Sequence, residues 1–214
     1  MPGPTPSGGP RDTRFRCPPS RPLQHFPGYE LTATQALHRG HSKGNGPWWF
    51  SSSGGGRFDL TPPRGTCYVA FDELTAIREA VGEALATTGI ISETFAAERQ
   101  LSTLTVPHAH NVADTCADAA ADFGLTRELS SMTPYSVPQE WAAAFDAVSF
   151  TGLRYQTRFT TGPSANAVAL FGEAGEADWP TDPSPEPLTV AALRHGFTVA
   201  RPPRSVRIVS PPTS

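Results

Sequence analysis

Gly65-Thr66-Cys67-Tyr68-Val69-Ala70-Phe71-Asp72-Glu73-Leu74-Thr75-Ala76-Ile77-Arg78-Glu79 changes its hydrophobic period part-way along. Residues 66–71 alternate and are rich in β-formers. Tyr68 and Ala70 fall on one face of the predicted strand, and Cys67, Val69 and Phe71 on the other. Asp72 ends the strand and suits the N-cap of a helix running to about residue 86. Leu74, Ile77, Val81 and Leu85 then share one helical stripe, which should face a core. A strand that hands directly to an amphipathic helix makes the centre of the chain mixed α and β.

Working outward, residues 101–106 read as a further strand. Asn111 reads as the cap of a helix reaching residue 123, ended by Gly124. Ser136-Val137-Pro138-Gln139 has the spacing of a capping box, and Trp141, Phe145 and Val148 follow at helical spacing. Residues 153–159 alternate strictly, with Leu153, Tyr155, Thr157 and Phe159 on one face and Arg154, Gln156 and Arg158 on the other. Residues 165–171 and 197–209 contain further strands. Strands outnumber helices and lack the βαβα rhythm of a doubly wound sheet, so the expected class is α+β.

The chain has 214 residues, 38% of them hydrophobic, which suits one domain of roughly 150–170 residues with irregular ends. Pro (23) and Gly (19) are abundant, so long loops and tails are expected. The expected organisation is a Pro/Gly-rich disordered arm at 1–23 and a domain at 24–172. The remainder, 173–214, holds an acidic Pro-rich loop to residue 187, the late strand segment and a tail from 211. The net charge of -3 argues against direct nucleic-acid binding, which normally needs a basic patch. It leaves room for a small anion held by a few Arg side chains. The cysteines Cys17, Cys67 and Cys116 contain no CxxC and form no disulfide framework, so a reducing cytoplasm is expected. Residues 1–10 lack the apolar stretch of a signal peptide, and no segment approaches the ~20 apolar residues of a membrane helix.

Candidate chemistry clusters around the opening stretch. Arg39, beside Gly40, reads either as a solvated surface residue or as a planar, permanently charged fork for a phosphate or carboxylate. His41 lies two residues on. Arg57 follows Gly54-Gly55-Gly56, a run that is either a flexible surface loop or a close backbone approach to a ligand. No Lys-Ser/Thr follows it, so it is not a P-loop, and it lacks the GxGxxG spacing of a dinucleotide-binding turn. Tyr68 reads either as a core tyrosine or as a pocket wall. Glu79 lies about 150° from its helix's apolar stripe at about 100° per residue, as a solvated Glu also would. His108, His110 and Asp114 lack a familiar metal-site spacing and read as a polar loop, so no metal is expected. Trp48-Trp49-Phe50 reads as a core or loop-anchoring cluster.

Taken in order, Arg39, Gly54-Gly55-Gly56-Arg57-Phe58-Asp59, Tyr68, Thr75-Ala76-Ile77-Arg78-Glu79 and Arg154-Tyr155-Gln156-Thr157-Arg158-Phe159 resemble the RES domain, over roughly residues 33–171. This is a family of bacterial NAD-consuming proteins, often the toxin half of a toxin–antitoxin pair. The resemblance implies an ADP-ribosyltransferase-like fold, with two β-sheets facing across an NAD cleft and flanking helices. It implies cleavage of the nicotinamide–ribose bond of NAD, with inorganic phosphate, water or a protein side chain as acceptor. In that reading Arg39 and Arg57 hold the pyrophosphate, with His41 assisting, and Tyr68 shapes the nicotinamide pocket. Glu79 stabilises the ribosyl cation and Thr157 hydrogen-bonds the ligand. The family usually carries Ser where Thr157 stands; Thr keeps the hydroxyl but adds a methyl and stiffens χ1. Arg154 and Arg158 are either structural or ligands of the adenine-side phosphate, and Asn166 is a weaker candidate. The implied partner is an Xre-like antitoxin. The alternatives are a mono-ADP-ribosyltransferase acting on a protein and a non-catalytic RES-like binding module.

Overall fold

A computed structural model describes residues 18, 22–162 and 166–201. Residues 1–17 and 19–21 of the expected arm, Cys17 among them, the 202–209 part of the late strand segment and the 211–214 tail lie outside the described residues. Along the chain run β1 (Gly28–Leu31), β2 (Leu37–Ser42), β3 (Trp49–Phe50) and β4 (Arg64–Ala70), then α1 (Glu73–Val81) and α2 (Glu83–Thr88). β5 (Ile90–Ser92), α3 (Glu93–Ala97), β6 (Arg99–Leu104) and β7 (His110–Asp114) follow. Two short 3-10 helices, Asp118–Phe123 and Arg127–Ser130, precede α4 (Ser136–Ala147). The chain continues with β8 (Gly152–Gln156), β9 (Asn166–Glu173), β10 (Gly175–Glu176), β11 (Glu186–Pro187), α5 (Leu188–Arg194) and β12 (Thr198–Ala200).

The strand predicted at 66–71 is β4, and it stands inside an eight-stranded mixed sheet of order β1-β7-β8-β9-β4-β2-β6-β11. Its two faces part as the alternation requires. Tyr68 and Ala70 join the core under the helices. Cys67 and Val69 join a second core, with Phe71 packed against it. That second core is capped by the Trp48–Phe50 segment: Trp48 and Phe50 are buried, and both rings meet Trp179 edge-on at 4.9 and 5.4 Å. With the sheet buried on both faces, three layers form around it. The expected α+β class is thus found.

The two expected sheets are the two halves of this one sheet. β4 pairs with β9 over seven residues, but with β2 through a single pair, His38↔Ala70. Beyond that pair the halves splay. α1 bridges the join by packing onto β2 at Gly40, where an added Cβ would lie 2.7 Å from the Ala80 Cβ and 3.3 Å from the Ala76 carbonyl. Glycine is what lets the helix sit this close.

Several local expectations change in the fold. Asp72 caps α1, its carboxylate accepting from the Thr75 N–H at 2.8 Å, but the helix stops at Gly82 (φ 66°) and α2 restarts beyond it. The helix expected at 111–123 is a strand first. β7 pairs with β1 and β8, and only residues 118–123 are helical, closed by Gly124 in the left-handed region. Two ready strand edges outweigh weak local helix preference here. The helix after Ser136 is present, but Tyr135 is its cap and no side chain bonds the first turn. Gln139 instead donates to the carbonyls of Gly54 and Gly56 at 3.1 and 3.0 Å, tying α4 to the glycine loop. Leu23, Leu188, Ala191 and Ala192 are core residues, and β11 is an edge strand of the large sheet.

Candidate active site

The splay between β2 and β4 opens into a cavity of about 340 Å³. Four predicted residues, Arg39, Arg57, Tyr68 and Glu79, line it. They come from β2, the glycine loop, β4 and α1, four elements that converge only because the sheet parts beside α1.

Glu79 sits in the wall formed by α1, and one carboxylate oxygen accepts from the Phe159 backbone N–H at 2.9 Å. Burial holds its carboxyl above the usual carboxylate range, partly offset by that N–H and by the Arg57 and Arg158 guanidiniums. An acid at the end of a half-apolar cavity, facing two cations, is a desolvated charge held ready for a positive centre.

The glycine loop is shaped by Asp59, a buried carboxylate. It accepts from the Tyr68 hydroxyl (2.9 Å), the Gly56 N–H (3.0 Å) and the hydroxyls of Ser51 and Ser53 (3.3 Å each). The Tyr68 hydroxyl in turn accepts from the Phe58 N–H at 2.8 Å. Burial, then the Asp59 charge, push this phenol well above its ordinary range, so it stays protonated. Its ring faces the cavity while its hydroxyl fastens the loop. A side chain at position 56 would run into Asp59 and the Tyr68 hydroxyl at 2.1 and 2.5 Å, so that turn must be glycine. Arg57 leaves the loop for the cavity, donates to the Met132 carbonyl and stacks over the Tyr135 ring at 4.6 Å.

Arg39 is a cavity wall and a brace. Its guanidinium donates to the Pro47 and Trp49 carbonyls and to the Cys67 sulfur, holding the Trp48 segment against the splay. His41 and Thr157 are not brought into the cavity. His41 shares the face of β2 that carries Arg39, opposite Gly40 and α1, but lies farther along the strand, where its ring is 2.9 Å from the Ser102 hydroxyl and close to the Ser42 and Asn45 carbonyls. Thr157 is buried beside the strand end.

Arg154 and Arg158 part company. Arg154 forms an ion pair with Asp114 at 3.0 Å and lies over the Tyr29 ring. Regular alternation would put Arg158 on that same side. β8 ends at Gln156, however, and the chain then turns, bringing Arg158 and Phe159 into the cavity with Tyr155. Asn166 opens β9 opposite Gln156. Sequence reasoning also missed His38, Tyr135, Tyr155 and Asp59. Tyr155 sat in plain view on the inward face of β8. Asp59 lay in the quoted Arg-Phe-Asp, where a carboxylate after a glycine run signals loop capture. His108 and His110 stack on one another at 4.6 Å, and among the described residues no cluster of three or more His, Cys, Asp or Glu forms.

The family model that matches the chain is "RES domain", over residues 33–190. The chain belongs to the RES family. No curated protein matches it. Among solved structures, a chain from "Crystal structure of the M.tuberculosis MbcT-MbcA toxin-antitoxin complex" superposes with a TM-score of 0.59. The identity is 13%, over 78% of this chain and 92% of that one. At that identity the likeness is one of fold: this RES chain shares its sheet-and-helix architecture with that toxin–antitoxin structure.

Proposed function

We propose that this RES protein binds NAD in the splay cavity and breaks its nicotinamide–ribose bond. One observation carries the reading: the desolvated Glu79 carboxylate lines the same cavity as Arg57 and Arg158. Cleavage moves the C1′–N electron pair onto the pyridinium nitrogen, so nicotinamide leaves neutral and positive charge grows on the ribose. A preorganised, partly desolvated carboxylate stabilises that charge better than bulk solvent does. The Phe159 N–H holds one carboxylate oxygen of Glu79 and offsets part of the upward pull of burial on its carboxyl. Arg57 and Arg158 supply charge for the pyrophosphate. The Tyr68, Tyr135 and Tyr155 rings offer flat apolar walls for nicotinamide. The new bond to C1′ comes from a phosphate or water oxygen.

Arg39 and His41 act in this reading through structure: Arg39 by holding the Trp48 segment at the cavity wall, His41 by anchoring β2 to β6. We infer further, by analogy with the M. tuberculosis MbcT-MbcA toxin-antitoxin complex, that the protein is a toxin restrained by a cognate antitoxin, and that it works in the cytoplasm. No described helix is long and apolar enough to cross a membrane.

The test follows nicotinamide release from NAD by purified protein, with and without inorganic phosphate, beside Glu79→Gln. Release by the parent and not by the variant is the expected result, and phosphate dependence would name the acceptor. Transfer of the ADP-ribose label to a protein, with no free product, would make it a protein-directed transferase. Bound but intact NAD would leave a binding module.

A further inference from the structure

A second cavity, about 420 Å³, lies beyond the Arg127–Ser130 turn. It occupies the edge that β8 exposes once β7 has ended. Ser130 lines both cavities, and Gln156 of the second is the strand neighbour of Tyr155 in the first. The second cavity is chemically divided. Ala120, Ala121 and Leu125 give it a smooth apolar side, whereas Arg127, Arg154 and Thr126 give it a polar one.

Its two guanidiniums have capacity to spare. Among the described residues, the Arg127 side chain enters no ion pair or hydrogen bond. Arg154 meets both Asp114 oxygens through a single terminal nitrogen, at 3.0 and 3.2 Å, and its buried Nε has no hydrogen-bond partner. Buried guanidinium nitrogens are normally satisfied. A free cation facing a flat apolar floor across a nucleoside-sized space is the lining expected of a nucleotide site.

We infer that this second cavity takes the adenosine 5′-phosphate half of the dinucleotide, whose pyrophosphate crosses the Ser130 wall between Arg158 and Arg127. The inference rests on the NAD reading and adds a second subsite to it. The first cavity gathers Glu79, Arg57 and the tyrosine rings around the reacting bond, and its lining reaches Ser130, the residue it shares with the second. In this arrangement the adenine lies on the alanine floor and Arg127 pairs with the phosphate. Discrimination against a mononucleotide substrate then comes from a cavity separate from the reacting bond.

The test measures equilibrium binding of AMP and of nicotinamide mononucleotide to the parent protein, to Arg127→Gln and to Ala121→Trp. Both positions are exposed, so neither change touches the core. AMP should compete with NAD, and each variant should weaken AMP at least tenfold while leaving the mononucleotide within twofold. Equal AMP affinity in all three proteins, no AMP binding to the parent, or AMP binding that fails to compete with NAD would each overturn the inference. Nicotinamide release by the same samples reads the parent reaction separately. A protein that still cleaves NAD while AMP ignores both substitutions rejects the subsite and keeps the reaction.

Discussion

Glu79 is where a single side chain decides most. Its carboxylate accepts one backbone N–H and faces two guanidiniums from a half-buried position. Replacing it with Gln preserves shape and removes charge, so nicotinamide release should fall by roughly 10²–10³, the usual effect of losing one preorganised electrostatic group. The unfolding midpoint should barely move; a variant that cleaves NAD at the parent rate would remove Glu79 from the mechanism. Because burial raises this carboxyl, the acid limb of the kcat profile should lie above the ordinary Glu range, and activity should decline as pH falls through it. His110 offers a pH effect on stability instead. It is buried, both ring nitrogens lack partners, and burial, then His108, pull its pKa down. The unfolded state therefore takes up the proton first. This contribution is complete above about pH 6.5 and is lost as pH falls below that value. His110→Phe should flatten the dependence of unfolding free energy on pH as pH falls below about 6.5; an unchanged slope would assign the acid sensitivity elsewhere.

At the scale of elements, the seat of α1 on β2 sets the site. Gly40 admits the helix, and Glu79 follows Ala76 by three residues on that same helix. Gly40→Val would drive methyl groups into Ala80 and the Ala76 carbonyl, at a cost of about 1–3 kcal/mol for overpacking. It should also displace Glu79, so activity should drop further than the stability loss explains; denaturant titration beside the release assay separates the two. The glycine loop depends on Asp59 in the same way. Tyr68→Phe deletes the donor to Asp59 and the acceptor for the Phe58 N–H, and should cost about 1–3 kcal/mol. Rigid binding of NAD should weaken with it, visible as a higher KM. The strand β4 and the capped start of α1 were legible because period and cap residue agree locally. The end of β8 was not legible. Continued alternation through Phe159 predicts Arg158 outside, and the end of β8 at Gln156 is what lets it turn inward. The reading of 111–123 as a helix failed for a related reason: β7 is made by its neighbours β1 and β8.

Over the whole molecule, the sheet is completed late in the chain. β11 closes one edge, α5 buries Leu188, Ala191 and Ala192, and β12 pairs with β5. A chain ending before Leu188 would expose the apolar surface beneath α5 and should lose cooperative thermal unfolding; a sharp transition in that truncation would show that the helix is dispensable. The sequence by itself determined the α+β class, the strand-to-helix centre, the buried Trp48 and Phe50, and, through motif order, the family. These depend on period, capping and residue type, which are local. Tertiary structure alone decided that two half-sheets meet through one residue pair and that Arg57, Tyr68, Glu79 and Arg158 share the resulting cavity. It also kept His41 out of that cavity and made Arg39 a brace. Which side chains meet across a splay depends on where pairing stops and how closely a helix can approach, and neither is written in any single segment.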